Sequence, residues 1–262
     1  MRSASFLLSR RWIVFGAVVV LLAWLAWLLG QWQFHRLDDR QDRNAIVERN
    51  TAADPVPVAE VLSLDEGVDR EDQWRRVTAT GRYDASRTVV VRYRTRDGAS
   101  GIDVVVPLLT DDGPALLVDR GWLATENSGT SPDEVPAPPP GPVTVTGWVR
   151  ADATGDAVKV TDASTRAISS TAISEALDLA TYRGFVDLVE ESPEPADPLA
   201  PAELPELNDG PHFFYGLQWW FFGLLAVVGF GYLAYDEWRG GRPSQRTQHA
   251  SVDGQHDAGD EG

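Results

Sequence analysis

The chain reads as a membrane protein in which two transmembrane helices flank a mostly antiparallel-β, α+β extracytoplasmic domain. Three observations predict this. Residues 12–34 and 213–235 are each 23 residues long without a charged side chain, and as helices each reaches about 34 Å, enough for a hydrocarbon core of about 30 Å. Basic residues stand on their outer flanks: Arg2, Arg10 and Arg11 before the first, Arg239, Arg242 and Arg246 after the second. The segment between them alternates apolar and polar positions with period two, as half-buried strands do.

The elements follow in order. Residues 1–11 form a cytoplasmic N-terminus, because basic flanks stay on the cytoplasmic side. Residues 12–34 form a retained first span, since the bulky Gly30-Gln31-Trp32-Gln33 that closes it offers no signal-peptide cleavage site. The charged run that follows, free of glycine and proline up to Arg49, prolongs the helix until Pro55 and Pro57 end it. A short helix is expected over 59–64. Strands are expected over 76–83, 89–94, 102–108, 115–122 and 143–149, with a turn at 111–114, and they suggest a sandwich or an incomplete barrel. Ile173, Ala176, Leu177 and Ala180 mark one helix capped by Ser170 or Thr171, and 185–189 a last strand. Two proline-rich stretches read as a loop (131–142) and an extended spacer (192–211). Residues 212–235 form the second span, and 236–262 a disordered cytoplasmic tail. The extracytoplasmic domain is therefore 35–211, in a multi-pass protein of the cell membrane with both termini inside.

Composition excludes several functions. The 35–212 segment holds 17 Lys+Arg against 33 Asp+Glu, so it repels nucleic acid and anionic surfaces. Cysteine is absent, which removes disulfides, thiolate nucleophiles and cysteine-based copper sites. No Gly-x-Ser-x-Gly, His-Glu-x-x-His, Walker or dinucleotide motif occurs, and no enzyme is expected. Glu190-Glu191 and Asp111-Asp112 read as solvated turns, and the eight arginines between Arg70 and Arg96 as partners for the domain's own carboxylates across strands. His249 and His256 fall in the tail. His35 and His212 are placed by the topology at the same outer membrane boundary. His35 shares a helical face with Gln31, Leu28 and Trp24; His212 shares one with Tyr215, Gly216, Trp219 and Gly223, and small residues there admit a second helix or a flat ligand. Such an imidazole is either an interfacial anchor or an axial haem ligand, and the pattern leaves both open.

Four motifs, in order from the first helix to the second, resemble those of the Surfeit locus protein 1 family, the Shy-one-like cytochrome c oxidase assembly factors. Leu29-Gly30-Gln31-Trp32-Gln33 with Arg36 is similar to the end of that family's first helix. The strand 77–84, with Gly81 and Tyr83, is similar to the one before its arginine-rich segment. Leu117-Val118-Asp119-Arg120-Gly121-Trp122 is similar to its Val-x-Arg-Gly-Trp strand. His212-x-x-Tyr215-Gly216-x-Gln218-Trp219 is similar to its His-x-x-Tyr-Ala-x-Gln-Trp. Gly216 replaces the usual alanine, and Leu123-Ala124 stands where Val-Pro is common. The resemblance implies a non-enzymatic membrane chaperone of the respiratory chain, which assists delivery of haem a into oxidase subunit I or stabilises that subunit. It implies transient haem a binding, with His212 as iron ligand and Tyr215, Gln218, Trp219 and His35 around the cofactor. Trp32, Gln33, Arg36, Arg120, Gly121 and Trp122 are then motif positions for partner binding. The partners implied are subunit I, haem A synthase and membrane lipid. The alternative is a scaffold that grips an oxidase intermediate without binding haem.

Overall fold

A computed structural model describes residues 7–111, 113–125 and 131–240. Arg2, Asp112, Arg242, Arg246, His249, His256 and residues 241–262 of the expected tail lie outside these residues, while 236–240, expected in that tail, are helical. The chain divides into two units, one of residues 1–37 and 210–262, the other of Asp38–Asp209.

The first unit is a helix pair. Helix α1 (Arg10–Ala52) contributes its apolar half, and α3 (His212–Gly240) the other member. Both carry a stretch long and apolar enough to cross a membrane. Only 17% and 6% of those stretches are buried within the molecule, so their apolar side chains face outward rather than into a protein core.

The second unit is built on one eight-stranded sheet. Its strands are β1 (Val56–Pro57), β2 (Arg76–Tyr83), β3 (Val89–Arg96), β4 (Ala99–Thr110), β5 (Leu116–Ala124), β6 (Pro142–Arg150), β7 (Ser164–Thr165) and β8 (Phe185–Ser192). The spatial order is β1-β2-β6-β8-β5-β4-β3-β7, and β2 also pairs with β4 through Gly81–Thr110, Arg82–Leu109 and Tyr83–Leu108. That short pairing closes β2, β6, β8, β5 and β4 into a ring. Within it only β5–β8 is parallel. The ring encloses Val77, Ala79, Leu108, Leu116, Val118, Val145 and Val186. β3 and β4 are buried on both faces, which is why Val89-Val90-Val91 and Val104-Val105-Val106 run without alternation. Val89, Val91 and Val105 pack beneath Ile168 and beneath Ile173 of α2 (Ser170–Leu177), which follows it; Val90, Val104 and Val106 pack beneath Val135 and Leu199.

The charged half of α1 belongs to this unit. Its buried Asn50 donates to the carbonyls of Glu71 (2.7 Å) and Gln73 (2.8 Å). Arg40 donates to the main chain and side chain of Asn208, and Gln41 to Asp209.

Several expectations change. The segment 59–64 holds only a single 3-10 turn, Val58–Glu60. α2 is capped by Ser169, whose hydroxyl accepts from the Ala172 amide, and it stops at Leu177 because Asp178 turns left-handed, so Ala180 lies outside it. Ser170, proposed as the cap, is instead buried and donates to Asp152. The spacer 192–211 is not free: Ala200 exchanges two main-chain hydrogen bonds with Trp122, and Glu203 pairs with Arg96. Of the eight arginines between Arg70 and Arg96, three form ion pairs among the described residues, Arg87 with Asp84, Arg94 with Asp103 and Arg96 with Glu203. Glu191 is buried rather than solvated. Its register with β6 explains this: Thr146 faces Glu190 while Gly147 faces Leu188, so Val189 is an extra residue. One inserted residue flips the parity of all that follow, and Glu191 turns inward where Glu190 turns out.

Candidate functional site

The helix pair is held by small residues set against rings. A methyl group on Gly216 would meet the Phe34 ring at 2.8 Å, and one on Gly223 would meet Ala26 at 3.2 Å. Gly30 lies against Trp220, and Gly16 against Phe230. The partners run in opposite directions along the chain, so the helices are antiparallel. Phe34 stacks at a tilt on Trp220 (4.8 Å) and edge-on to Phe213 (6.2 Å). The glycine face of α3 thus admits the Phe34 side chain of α1, which explains glycine at 216 where the motif usually has alanine.

This packing brings two motif residues together. His212, the first residue of α3, sits half-buried with its Nδ1 2.9 Å from the Gln33 Oε1. A carbonyl oxygen only accepts, so Nδ1 carries the proton and donates. In the neutral ring Nε2 is then the unprotonated nitrogen, and it has no hydrogen-bond partner among the described residues. A neutral imidazole with its second nitrogen bonded to an acceptor is the form that binds metals.

The remaining helix-pair positions are less engaged. Tyr215, Gln218 and Trp32 are exposed, and Trp219 is half-buried edge-on to Phe222 (6.2 Å). Arg36 lies over the Trp32 ring at 5.9 Å. His35 is exposed. It follows Gln33 by two residues, about 200° around the helix, so it points away from the face that meets α3, and no hydrogen bond joins it to His212.

Arg120, Gly121 and Trp122 lie in the other unit and are structural there. Opposite β5, Asp103 faces Trp122 and Val105 faces Asp119, so β5 bulges at Arg120 and Gly121. Gly121 takes φ 127° and lies so close to the Ala200 carbonyl that no Cβ fits. The bulge sends Arg120 inward, 3% exposed, where it pairs with Glu191 (3.1 Å) and donates to the Pro136 carbonyl (3.0 Å). Its guanidinium lies 5.5 Å from the Tyr83 ring. Burial, and then the charge of Glu191, push the Tyr83 phenol up.

Sequence reasoning missed Glu191 and three further buried carboxylates, Asp103, Asp119 and Asp187. The three aspartates are raised above the usual carboxylate range, first by burial. A signal did exist for two of them: Asp103 and Asp187 each sit within an apolar strand, on a face where solvent was not expected.

Known proteins match this chain, a mycobacterial relative over nearly its whole length. An uncharacterized SURF1-like protein of Mycobacterium tuberculosis is 31% identical over 244 residues, covering 91% of this chain and 89% of the relative. The cytochrome oxidase assembly protein SHY1 of Saccharomyces cerevisiae is 30% identical over 124 residues, 45% of this chain and 31% of SHY1. A SURF1-like protein of Dictyostelium discoideum is 28% identical over 106 residues, 38% of this chain and 39% of that protein. The model of the SURF1 family matches residues 20–224, a span that takes in part of each membrane-length helix and all eight strands, and the chain belongs to that family.

Proposed function

We propose that this chain is a membrane-anchored assembly factor for cytochrome c oxidase that carries haem a as cargo toward subunit I, with His212 as the iron ligand. Membership of the SURF1 family and the likeness to the yeast assembly protein support the assembly role. The observation that carries the haem role is the Gln33–His212 hydrogen bond, which leaves Nε2 as a free lone-pair donor. The residues fit one bond to iron: the ring is half-buried and its Nδ1 is held by Gln33. His35 points to the other side of α1 and does not complete a two-histidine site in this arrangement. A second axial ligand then comes from water or from a partner, of which subunit I and haem A synthase are the natural ones. The protein sits in the cell membrane with both termini cytoplasmic and the barrel outside.

Absorption spectra of the full chain, purified in detergent from cells that make haem a, test the reading. His212→Ala abolishes the haem band and lowers oxidase maturation. Gln33→Leu, which removes the acceptor for Nδ1, weakens haem retention about 10–100-fold. His35→Ala leaves the spectrum unchanged. A well-folded His212→Ala protein with an unaltered haem spectrum would falsify ligation and leave the reading in which the chain holds an oxidase intermediate without haem.

A further inference from the structure

The barrel unit contains a cavity of about 480 Å³, lined by side chains of β3, β4, β5, β6 and β8 together with Ala202 and Glu203 of the proline-rich return segment. Its charged groups nearly all pair off. Arg94 holds Asp103, Arg150 holds Asp187, and Arg96 holds Glu203. Two carboxylates are the exceptions among the described residues, Asp97, which is exposed, and Asp119. Asp119 lines the cavity from within the barrel wall, its residue is 6% exposed, and no cation is bonded to it. Its Oδ1 accepts one hydrogen bond, from the Gly121 amide at 3.1 Å. Its Oδ2 accepts none among the described residues. A buried carboxylate without a bonded counter-charge is strongly unfavourable, and the cavity opens beside it.

Two further features define the ligand. Tyr93 lines the same cavity, sits at the bulge between Val91 and Arg94 with φ 63°, and is 73% exposed. An aromatic face at the edge of an acidic cavity suits an organic cation. Asp103, Asp187 and Glu203, moreover, are already committed to arginines, and among the described residues no three metal-ligating side chains come close enough to hold a metal ion. The buried spare acceptor, Asp119, is therefore single, which suits one ammonium or guanidinium group rather than a divalent ion.

We propose that this cavity is a binding site for an alkylammonium or alkylguanidinium group, held by Asp119 and covered by Tyr93, supplied either by a free small amine or by a lysine or arginine side chain of a partner protein. It is separate from the His212 site, and neither proposal depends on the other.

Calorimetric titration of the full chain in detergent, with haem absent, tests it. The ligands are n-butylammonium, agmatine, the peptide acetyl-Gly-Lys-Gly-amide and its norleucine counterpart. Binding of the small amines as tightly as the lysine peptide supports a free-amine ligand; at least tenfold tighter binding of the peptide supports a partner side chain. In both cases Asp119→Asn weakens binding at least tenfold, and Tyr93→Ala weakens it about 2–5-fold. Tyr93→Ala alters an exposed ring, so it reports even if Asp119→Asn fails to fold. No binding of any cation, equal binding of the norleucine peptide, or wild-type affinity in a folded Asp119→Asn protein overturns the proposal.

Discussion

Asp119 is the residue whose burial has the clearest energetic signature. Burial raises its pKa well above the ordinary 3.8, and the neighbouring charges of Asp103 and Asp187 add to the shift. Below about 3.8 the carboxyl is protonated in both folded and unfolded chains and costs nothing. As pH rises, the unfolded chain ionises first, binds fewer protons than the folded one, and is favoured; stability therefore falls from that point up to the raised folded value. Asp103 and Asp187 are raised also and act with the same sign. Asp119→Asn should then raise stability at neutral pH by about 1–3 kcal/mol and lessen the fall in stability between pH 4 and 7 by roughly the same amount. Melts of both proteins across that range check it; a parallel pair of curves rejects it. Arg120 and Glu191 make the opposite case. Glu191→Gln leaves the guanidinium buried without its counter-ion, so it should destabilise by about 3–5 kcal/mol, while the double change Arg120→Leu with Glu191→Leu should cost less than Glu191→Gln alone. Urea melts order the three proteins.

At the scale of elements, the helices and most strands could be read in advance because their signals are local. An apolar run without charge, or alternation with period two, needs no knowledge of the partner. The capped helix, the mostly antiparallel pairing and the end of α1 before Pro55 were legible for that reason. What escaped depends on pairing. Bulges at Val189, at Arg120-Gly121 and before Arg94 shift parity, and a bulge is set by the opposite strand rather than by the sequence around it. Hence Glu191 looked like a turn residue and Tyr93 like a member of an alternating face. The two buried faces of β3 were equally hidden, since nothing in Val89-Val90-Val91 says what will cover it. The site divides likewise: His212 and Gln33 were each visible as motif residues, but their bond is a product of helix packing 179 positions apart. Gly216 tests that packing. Because the chain lacks cysteine, Ala26→Cys with Gly223→Cys gives a clean cross-link, their Cβ positions being 3.2 Å apart. Gly216→Leu, driven into the Phe34 ring, should lower cross-linking of that pair several-fold under oxidation. Unchanged cross-linking would mean that the two helices tolerate separation at this level.

At the scale of the molecule, the arrangement along the chain is helix, barrel, helix, and the proposed topology puts the barrel outside. Reporter fusions after Gly240 should be active on the cytoplasmic side and fusions within 131–142 on the outer side; cytoplasmic activity in the loop would refute it. The ring of strands also imposes an order of birth. β8 stands between β6 and β5, so a chain leaving the ribosome cannot complete the barrel until Ser192 has emerged, and β5 and β6 wait until then with open edges of the kind that attract other strands. Only 19 residues separate Ser192 from His212, about 1–4 s of synthesis. The last strand of the barrel and the last helix are therefore made in the same few seconds, and the nascent chain stays exposed to mispairing until both have arrived.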